Sequence, residues 1–255
     1  MDLELTDCVF LITGGTDGLG LTLAQTLLRE GALVAVCGRD ASRLDAAQSL
    51  LGASALCVEA DVTDATQLDE FIDVTLARFG RLDGAVNNAG RSAATSVAGS
   101  NDDQWREDYE LKVVAALHVA RRVLPALEAT GGSVLNVLAI KARTPDADST
   151  PTAASRAAGL ALTKALATEA APRGVRANAI LIGLIESGQW VRRAQAANID
   201  LADFYAAMTA RAAIPLGRLG RAQEFADLAA FLLSKRASYI TGVGISIDGG
   251  LSPVI

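Results

Sequence analysis

Short apolar runs alternate with longer segments of helical periodicity along almost the whole of this sequence. Strands that alternate with helices predict a parallel sheet covered by helices on both faces, and such strands are apolar throughout because both faces are buried. The runs lie at 8–13, 33–38, 55–60, 83–89, 133–139, 176–182 and 244–248, and the helical segments at 19–30, 41–51, 65–79, 102–130, 152–171 and 222–234. The sequence therefore predicts an α/β fold with a doubly wound, seven-stranded parallel sheet.

The length and composition favour a single domain. The chain has 255 residues, of which 51% are hydrophobic and only 20% are charged, so it can bury a sizeable core. No repeat, low-complexity tract or Pro/Ser-rich linker marks a boundary. We expect one domain over 1–255, in which residues 186–213 form a mobile lid over the substrate.

Charge and cysteine usage exclude several classes of partner. The formal net charge is −6 and no run of Lys and Arg is present, which argues against a nucleic acid or an anionic membrane as partner. Cys8, Cys37 and Cys57 follow no metal-ligand spacing and are interpreted as reduced core thiols, so no metal site is predicted. The acidic N-terminus does not resemble a signal peptide, and no apolar stretch approaches the roughly 18 residues of a membrane span. We expect a cytoplasmic protein.

A glycine-rich turn follows the first predicted strand and opens the first predicted helix. In "TGGTDGLG", Gly14 allows a tight turn, Gly18 lets the backbone approach a pyrophosphate, and Gly20 lets the helix pack closely on the strand. The N–H groups at the start of the helix point at the bound phosphates. This context predicts a dinucleotide-binding Rossmann fold whose phosphate loop also includes Thr16, Asp17 and Leu19.

The end of the second predicted strand bears on the choice of cofactor. An acidic residue there would bind the adenosine ribose hydroxyls, whereas "CGRD" presents Gly38 and then Arg39, which suit a 2′-phosphate. Asp17 opposes this interpretation because a basic residue in its place would help to hold the phosphate. Arg39 could also be an ordinary solvated charge. NADP(H) is favoured over NAD(H).

An ordered set of motifs spans nearly the whole chain. It consists of TGGTDGLG at 13–20, DV at 61–62, NNAG at 87–90, RANAI at 176–180 and ITG…DGG at 240–250. In this order and spacing the motifs resemble the short-chain dehydrogenase/reductase family. The resemblance implies an NAD(P)-dependent enzyme with a small-molecule substrate. It also implies a homotetramer or homodimer that packs the helices starting at Asp102 and Thr152, although the same helices could simply cover the sheet of a monomer.

The resemblance also implies roles for individual residues. Asp61 and Val62 would flank the adenine, and Asn88, Ala89 and Gly90 would line the cofactor groove. The family motif PGxxxT reads "IGLIES" here, with Gly183 retained, Ile182 in place of Pro, and Ser187 in place of the Thr that holds the nicotinamide amide.

The family's usual catalytic residues, an Asn, a Ser and a Tyr-x-x-x-Lys pair, are all replaced. Alignment by strand and helix places Lys112 at the Asn position, Ala139 at the Ser position, Thr152 at the Tyr position and Arg156 at the Lys position. No Tyr lies between the fifth and sixth predicted strands. A Thr hydroxyl is a far weaker acid than a phenol, and Arg can hold ribose hydroxyls but does not release a proton near neutral pH.

Three hypotheses of function remain open. The first is an NADP-dependent oxidoreductase that acts on a carbonyl or hydroxyl group by a proton path without Tyr, and an intact nicotinamide end favours it. The second is a non-redox enzyme, such as an isomerase or lyase, on the same scaffold. The third is a catalytically degenerate protein that binds the cofactor or serves in assembly.

Basic side chains are predicted near the substrate side. Together with Lys112 and Arg156, Lys141 and Arg143 could bind an anionic substrate or stabilise an enolate. Lys112 could act as acid or base if it faced a dry pocket, although a solvated Lys is the commoner case. We interpret His118 as structural, and Ser155 as a free polar group at the pocket mouth.

Overall fold

A seven-stranded, all-parallel sheet forms the centre of the molecule. The computed structural model describes all residues, 1–255. The strands are β1 (Val9–Thr13), β2 (Leu33–Gly38), β3 (Ala55–Glu59), β4 (Gly84–Asn87), β5 (Ser133–Ala139), β6 (Arg176–Ile182) and β7 (Gly244–Ile247). Their order in the sheet is β3-β2-β1-β4-β5-β6-β7, so the winding direction reverses between β1 and β4. The predicted doubly wound α/β fold is confirmed, and ligands of such folds bind at this reversal, outside the carboxyl ends of the strands.

Nine helices connect and cover the strands. They are α1 (Gly18–Arg29), α2 (Ala41–Leu51), α3 (Ala65–Phe79), α4 (Asp102–Tyr109), α5 (Ala115–Thr130), α6 (Thr152–Ala170), α7 (Gly188–Ala196), α8 (Leu201–Ala212) and α9 (Ala222–Leu233). Short polar residues cap the first turns, because their side chains accept from backbone N–H groups that have no partner within the helix. Asp17, Asp40, Asp64 and Asn101 cap α1 to α4 in this way.

The apolar core lies in two halves, one on each face of the sheet. One half packs α1 and α9 against the sheet and contains Phe10 and Phe225, while the other packs α3, α5 and α6 and contains Phe71. The central strands are buried on both faces, as predicted. The edge strands β3 and β7 are only half-buried, since each has a neighbour on one side only. None of the helices combines the length and the apolar composition that a bilayer span requires.

The predicted helix over 102–130 is interrupted by one turn of π-helix. Residues Glu110–Val114 form this turn between α4 and α5. A π-turn accommodates an extra residue and changes the direction of the side chains that follow, and such turns are frequent at functional sites. Lys112 lies in this turn and is 4% exposed, whereas a regular surface helix would leave such a side chain in solvent.

Candidate active site

The phosphate loop has a backbone that only glycine can adopt without strain. Gly14 and Gly18 have φ of +64° and +55°. A Cβ on Gly20 would lie 2.5 Å from Asn88 Nδ2, and one on Gly14 would lie 2.9 Å from Ala89 Cα. The loop is thereby pressed against the end of β4. Leu19 and Gly20 follow at the start of α1, where backbone N–H groups face a prospective anion.

Asp17 of this loop is surrounded by arginines rather than left as an isolated negative charge. Its Oδ1 accepts from Gly18 N at 2.7 Å, and its Oδ2 lies 2.7 Å from Arg192 Nη1 and 3.9 Å from Arg43 Nη1. The effect of Asp17 on the choice between NADP(H) and NAD(H) stays a prediction. Two cations that are far away in the sequence balance its charge and enrich the phosphate end of the site in guanidinium groups.

The adenosine end carries Arg39 and Asp61 as an ion pair. Arg39 Nη1 lies 3.0 Å from Asp61 Oδ2, and the Arg39 side chain is 62% exposed. Partial burial of Asp61 opposes ionisation, but hydrogen bonds from Thr63 and Arg39 outweigh it and lower the pKa of Asp61. Val62 is buried beside it. A Cβ on Gly38 would lie 2.7 Å from Thr16 Oγ1, so only Gly fits between the second strand and the phosphate loop.

The segment after β4 is tied to the phosphate loop by hydrogen bonds. Asn88 Nδ2 donates to the carbonyl oxygens of Thr13 and Gly14 at 3.0 and 2.9 Å, and the backbone N–H groups of Asn88 and Ala89 donate to Thr13 Oγ1. The Asn88 side chain thus joins the end of β4 to the phosphate loop. A Cβ on Gly90 would lie 2.9 Å from Arg156 Nη2, which places that guanidinium at the groove.

Ser187 provides an unpaired polar atom at the same groove. Its Oγ is buried and has no hydrogen-bond partner, although Ser187 precedes α7, where such side chains usually cap the helix. A Cβ on Gly18 would lie 3.8 Å from Ser187 Cβ, so the two loops face each other closely. Gly183, just after β6, packs closely on the end of β7, because a Cβ on it would lie 2.7 Å from Asp248 Cβ. An unsatisfied buried hydroxyl is costly, and it fits a bound amide such as that of a nicotinamide.

Lys112 and Thr152, which alignment assigned to two of the catalytic positions, are in contact. Lys112 Nζ donates to Thr152 Oγ1 at 3.1 Å, and Ala93 N donates to the same oxygen at 3.0 Å. The hydroxyl oxygen therefore accepts two hydrogen bonds, while its own hydrogen has no acceptor among the protein groups. The Thr152 hydroxyl is thus left with one hydrogen-bond donor that no protein group uses.

Asp108 and Ser155 complete this polar cluster, and neither residue is predicted from the sequence to belong to it. Asp108 Oδ1 accepts from Lys112 Nζ, and Asp108 Oδ2 accepts from Ser155 Oγ at 2.5 Å. The side chains of Asp108 and Lys112 are 1% and 0% exposed. Ser155 is fully buried, so its interpretation as a free group at the pocket mouth is wrong. The one sequence signal for Asp108 is its position four residues before Lys112 on a helix.

Burial changes the acidity of the Lys112 ammonium. Removal from water, and secondarily the nearby Arg156 guanidinium, lower the pKa of Lys112 from its usual 10.5 to about 8, while Asp108 opposes this shift and Arg91 adds to it. A group with a pKa near the working pH both gives and takes a proton readily. The role of Lys112 as an acid or base stays a prediction, and its pKa is closer to neutrality than that of a solvated lysine.

Arg156 is partly buried and incompletely paired. Its Nη1 donates to the carbonyl oxygen of Val137 at 2.5 Å, and its Nε has no partner. Burial lowers the pKa of Arg156 to about 10, and Asp108 opposes the shift. Ala139, at the end of β5, supplies no hydrogen-bonding side chain. Arg156 thus offers donors to a ligand without releasing a proton.

Comparison with known proteins gives the family. The family model described as enoyl-(acyl carrier protein) reductase matches residues 14–252. The chain is 32% identical to 3-oxoacyl-(acyl-carrier-protein) reductase of Thermotoga maritima, over 98% of this chain and 99% of the relative. The chain belongs to the short-chain dehydrogenase/reductase family. It is accordingly an oxidoreductase-family protein with an NAD(P)-binding site.

Two solved structures of this family superpose on the whole chain. One is a short-chain oxidoreductase from Pseudomonas aeruginosa PAO1 with NADPH bound and with an atypical catalytic center. It is 39% identical with a TM-score of 0.92, and the match covers 98% of this chain and all of that one. The other is L-sorbose reductase from Gluconobacter frateurii with NADPH and L-sorbose, which is 29% identical with a TM-score of 0.94 and full coverage of both chains.

Other groups that the sequence placed near the substrate side of this short-chain dehydrogenase/reductase are engaged elsewhere. Lys141 pairs with Asp146, and Arg143 Nη2 donates to the carbonyl oxygen of Gly244 at 2.9 Å. His118 Nε2 lies 2.9 Å from Asp69 Oδ1 on the outer side of α5, in agreement with a structural role. Of the four cations expected near the substrate side, only Lys112 and Arg156 lie in the polar cluster beside Thr152.

The segment 186–213 contains α7 and α8. Trp190 Nε1 donates to the carbonyl oxygen of Ile185 at 3.0 Å, and the Arg193 guanidinium lies 4.8 Å from the Trp190 ring centre. The Arg192–Asp17 ion pair joins this segment to the phosphate loop. Its role as a lid over the substrate stays a prediction.

Proposed function

We propose that this protein is an NADPH-dependent oxidoreductase that reduces a carbonyl group, or oxidises the corresponding alcohol, with Thr152 as the proton donor and Lys112 as its proton source. The observation that carries the proposal is the environment of the Thr152 hydroxyl, whose oxygen accepts from Lys112 and Ala93 and whose hydrogen is left for the substrate. Glycines of the phosphate loop, the unpaired Ser187 hydroxyl and the Arg156 donors fit the dinucleotide.

The reaction balances with these groups. When bound, NADPH supplies a hydride to the carbonyl carbon. Thr152 gives its proton to the carbonyl oxygen and at the same time takes one from the Lys112 ammonium, so that Thr152 is neutral before and after the step. The products are the alcohol, the oxidised cofactor and a neutral Lys112, which regains a proton from water. Thr152 does not need to ionise, and this removes the objection that its hydroxyl is a weak acid.

The direct test is turnover with a panel of carbonyl compounds. Relatives of this chain reduce 3-oxoacyl thioesters and a ketose according to their names, so both classes belong in the panel together with simple ketones. We expect NADPH to be consumed with at least one class, with the alcohol as product. Binding of neither NADPH nor NADH would contradict the proposal and would favour a non-redox or assembly role. Tight NADPH binding without turnover on any carbonyl would favour a cofactor-binding protein.

The preference for NADPH is proposed to depend on Arg39. The Arg39 side chain stands exposed at the end of β2, where a 2′-phosphate would lie, and two charge-assisted hydrogen bonds would join them. We expect Arg39→Ala to weaken NADPH binding by about tenfold to a hundredfold, which corresponds to the loss of about 1.5–3 kcal/mol. NADH affinity should remain unchanged, and calorimetric titration measures both.

A matched control for this variant is Arg106→Ala. Arg106 is an exposed arginine of α4 that pairs with Asp103 and lies outside the proposed cofactor site. Its replacement should change neither affinity. An equal loss of NADPH and NADH affinity in Arg39→Ala would contradict a role in reading the 2′-phosphate.

The pH dependence follows from the direction of proton transfer. Reduction needs the protonated Lys112, and the protonated fraction falls as the pH rises through the pKa of about 8. We expect kcat/KM for reduction to fall by about tenfold per pH unit above that value, and kcat/KM for alcohol oxidation to fall below it. Initial rates in both directions, measured from about pH 6 to about pH 10, give the two profiles.

A further inference from the structure

The buried cluster contains a carboxylate and a hydroxyl that touch neither the substrate groove nor Thr152 Oγ1. Asp108 and Ser155 are almost completely buried, and each of their polar contacts is made within the cluster or its own helix. A buried carboxylate is costly to keep unless a charge and hydrogen bonds compensate it. The proposed proton transfer uses neither the Asp108 carboxylate nor the Ser155 hydroxyl, so it does not explain why they are buried here.

The two oxygens of Asp108 are used differently. Oδ1 accepts from the Lys112 ammonium, and Oδ2 accepts from Ser155 Oγ at 2.5 Å. Ser155 Oγ also lies 3.0 Å from the carbonyl oxygen of Thr152, so α6 fixes the position of the serine. With both oxygens held, the carboxylate cannot rotate, and the Lys112 ammonium is directed to Thr152 Oγ1 at 3.1 Å.

We propose that Asp108 and Ser155 are positioning residues: Asp108 holds the Lys112 ammonium against Thr152 and keeps it charged in a buried site beside a second cation, and Ser155 fixes the Asp108 carboxylate in place. This inference rests on the proposed function, and it assigns to this reaction a carboxylate that the sequence alone did not indicate.

The charges that face Lys112 support this balance. Arg156 of α6 and Arg91 of the segment after β4 repel the ammonium, and Asp108 of α4 is the one carboxylate in contact with it. Arg91 is itself paired with Glu107 at 2.8 Å, on the exposed side of α4. Without Asp108, burial and two guanidinium groups would act on Lys112 with no opposing charge, and a larger fraction of the lysine would be neutral at neutral pH.

The test is a direct titration of Lys112 in the intact protein. The chain has only four lysines, Lys112, Lys141, Lys164 and Lys235, so the side-chain signals of a protein labelled with ¹³C and ¹⁵N at lysine are few, and Lys112→Arg identifies the signal of interest. We expect Asp108→Asn to lower the pKa of Lys112 by about one unit or more, a tenfold change in its acid dissociation constant. The fall of kcat/KM for reduction should move to lower pH by the same amount.

Asp103→Asn is the matched control. Asp103 lies on the same helix, five positions earlier, and its side chain is 83% exposed and paired with Arg106. Its replacement removes the same charge from the chain and should leave the Lys112 titration unchanged. An Lys112 pKa that stays the same, or rises, in Asp108→Asn would overturn the proposal.

Ser155→Ala is a second, milder variant, which also serves if Asp108→Asn does not fold. Without the Ser155 hydrogen bond, more of the negative charge of Asp108 faces Lys112, so the pKa of Lys112 should rise. The kcat for reduction should fall several-fold with KM unchanged, since the ammonium is held less firmly and Ser155 does not touch the substrate. A lower Lys112 pKa in this variant, or a loss confined to KM, would count against the proposal.

The titration separates this inference from the proposed function. If Asp108→Asn shifts the Lys112 titration but Lys112→Met leaves turnover intact, the positioning role stands and the proton path fails. If Lys112→Met abolishes turnover but the pKa of Lys112 is unchanged in Asp108→Asn, the positioning role fails and the proton path stands.

Discussion

Replacement of Lys112 by Met is expected to lower kcat for carbonyl reduction by about a hundredfold to ten-thousandfold, the usual contribution of a positioned general acid. Methionine has a similar length and no proton to give, so Thr152 loses the group that replaces its proton. NADPH affinity should change little, because the Lys112 side chain is buried and its ammonium is already bonded to Asp108 and Thr152. Steady-state kinetics and calorimetry on the same preparation measure both quantities.

Two companion variants make this result interpretable. Lys112→Met leaves the Asp108 carboxylate buried without its cation, at a cost of about 3–5 kcal/mol of folding free energy, so Lys112→Met/Asp108→Asn removes both charges together. Lys112→Arg keeps the positive charge, but a guanidinium does not release a proton near neutral pH. We expect both to be as inactive as the single variant. Full activity in Lys112→Arg would show that only the charge at this position matters.

Replacement of Thr152 by Val is expected to lower kcat for reduction by about a hundredfold or more, because Val has the shape of Thr and lacks the hydroxyl that is proposed to give the proton. Ala93 N loses its acceptor in this variant, which should reduce the free energy of unfolding by about 1–3 kcal/mol. Thr152→Ser retains the hydroxyl and should keep most of the activity. Kinetics and thermal unfolding of the two variants, measured in parallel, separate catalysis from stability.

A different outcome would assign the proton to another source. If Thr152→Val reduced the carbonyl within a few-fold of the unmodified protein, a bound water or the substrate itself would have to supply the proton. The Lys112–Thr152 contact would then be only structural.

The sheet could be predicted because its signal is local. Each strand is an apolar run of the right length, and several helices begin at a capping side chain, so most element boundaries agree to within one or two residues. The edge strands and the π-turn could not be predicted in this way. Half-burial of β3 and β7 depends on their place in the sheet, and the π-turn at Glu110–Val114 lies where the chain packs against α6, which is distant in the sequence.

The candidate site shows the same division. Glycines of the phosphate loop and the four replaced catalytic positions can be named from spacing, because family motifs are short and ordered. The partners of Lys112 cannot, since Ser155 lies 47 residues from Asp108 and meets it only when α6 packs on α4. Similarly, Arg192 lies 175 residues from Asp17, and no local pattern indicates their pairing.

Some expectations depend on properties of the protein in solution. Assembly into a homotetramer or homodimer through the helices that start at Asp102 and Thr152 stays a prediction, and so does a cytoplasmic location. Turnover with the panel of carbonyl compounds identifies the class of substrate.

The measurement that tests the central claim most directly is the pH dependence of kcat/KM for reduction and oxidation, with the unmodified protein and Lys112→Arg side by side. The account predicts opposite profiles that meet near the Lys112 pKa of about 8 in the unmodified protein, and the loss of this inflection in Lys112→Arg together with most of the rate. Profiles that kept the same inflection in Lys112→Arg would contradict the account, because the titrating group would then be another one.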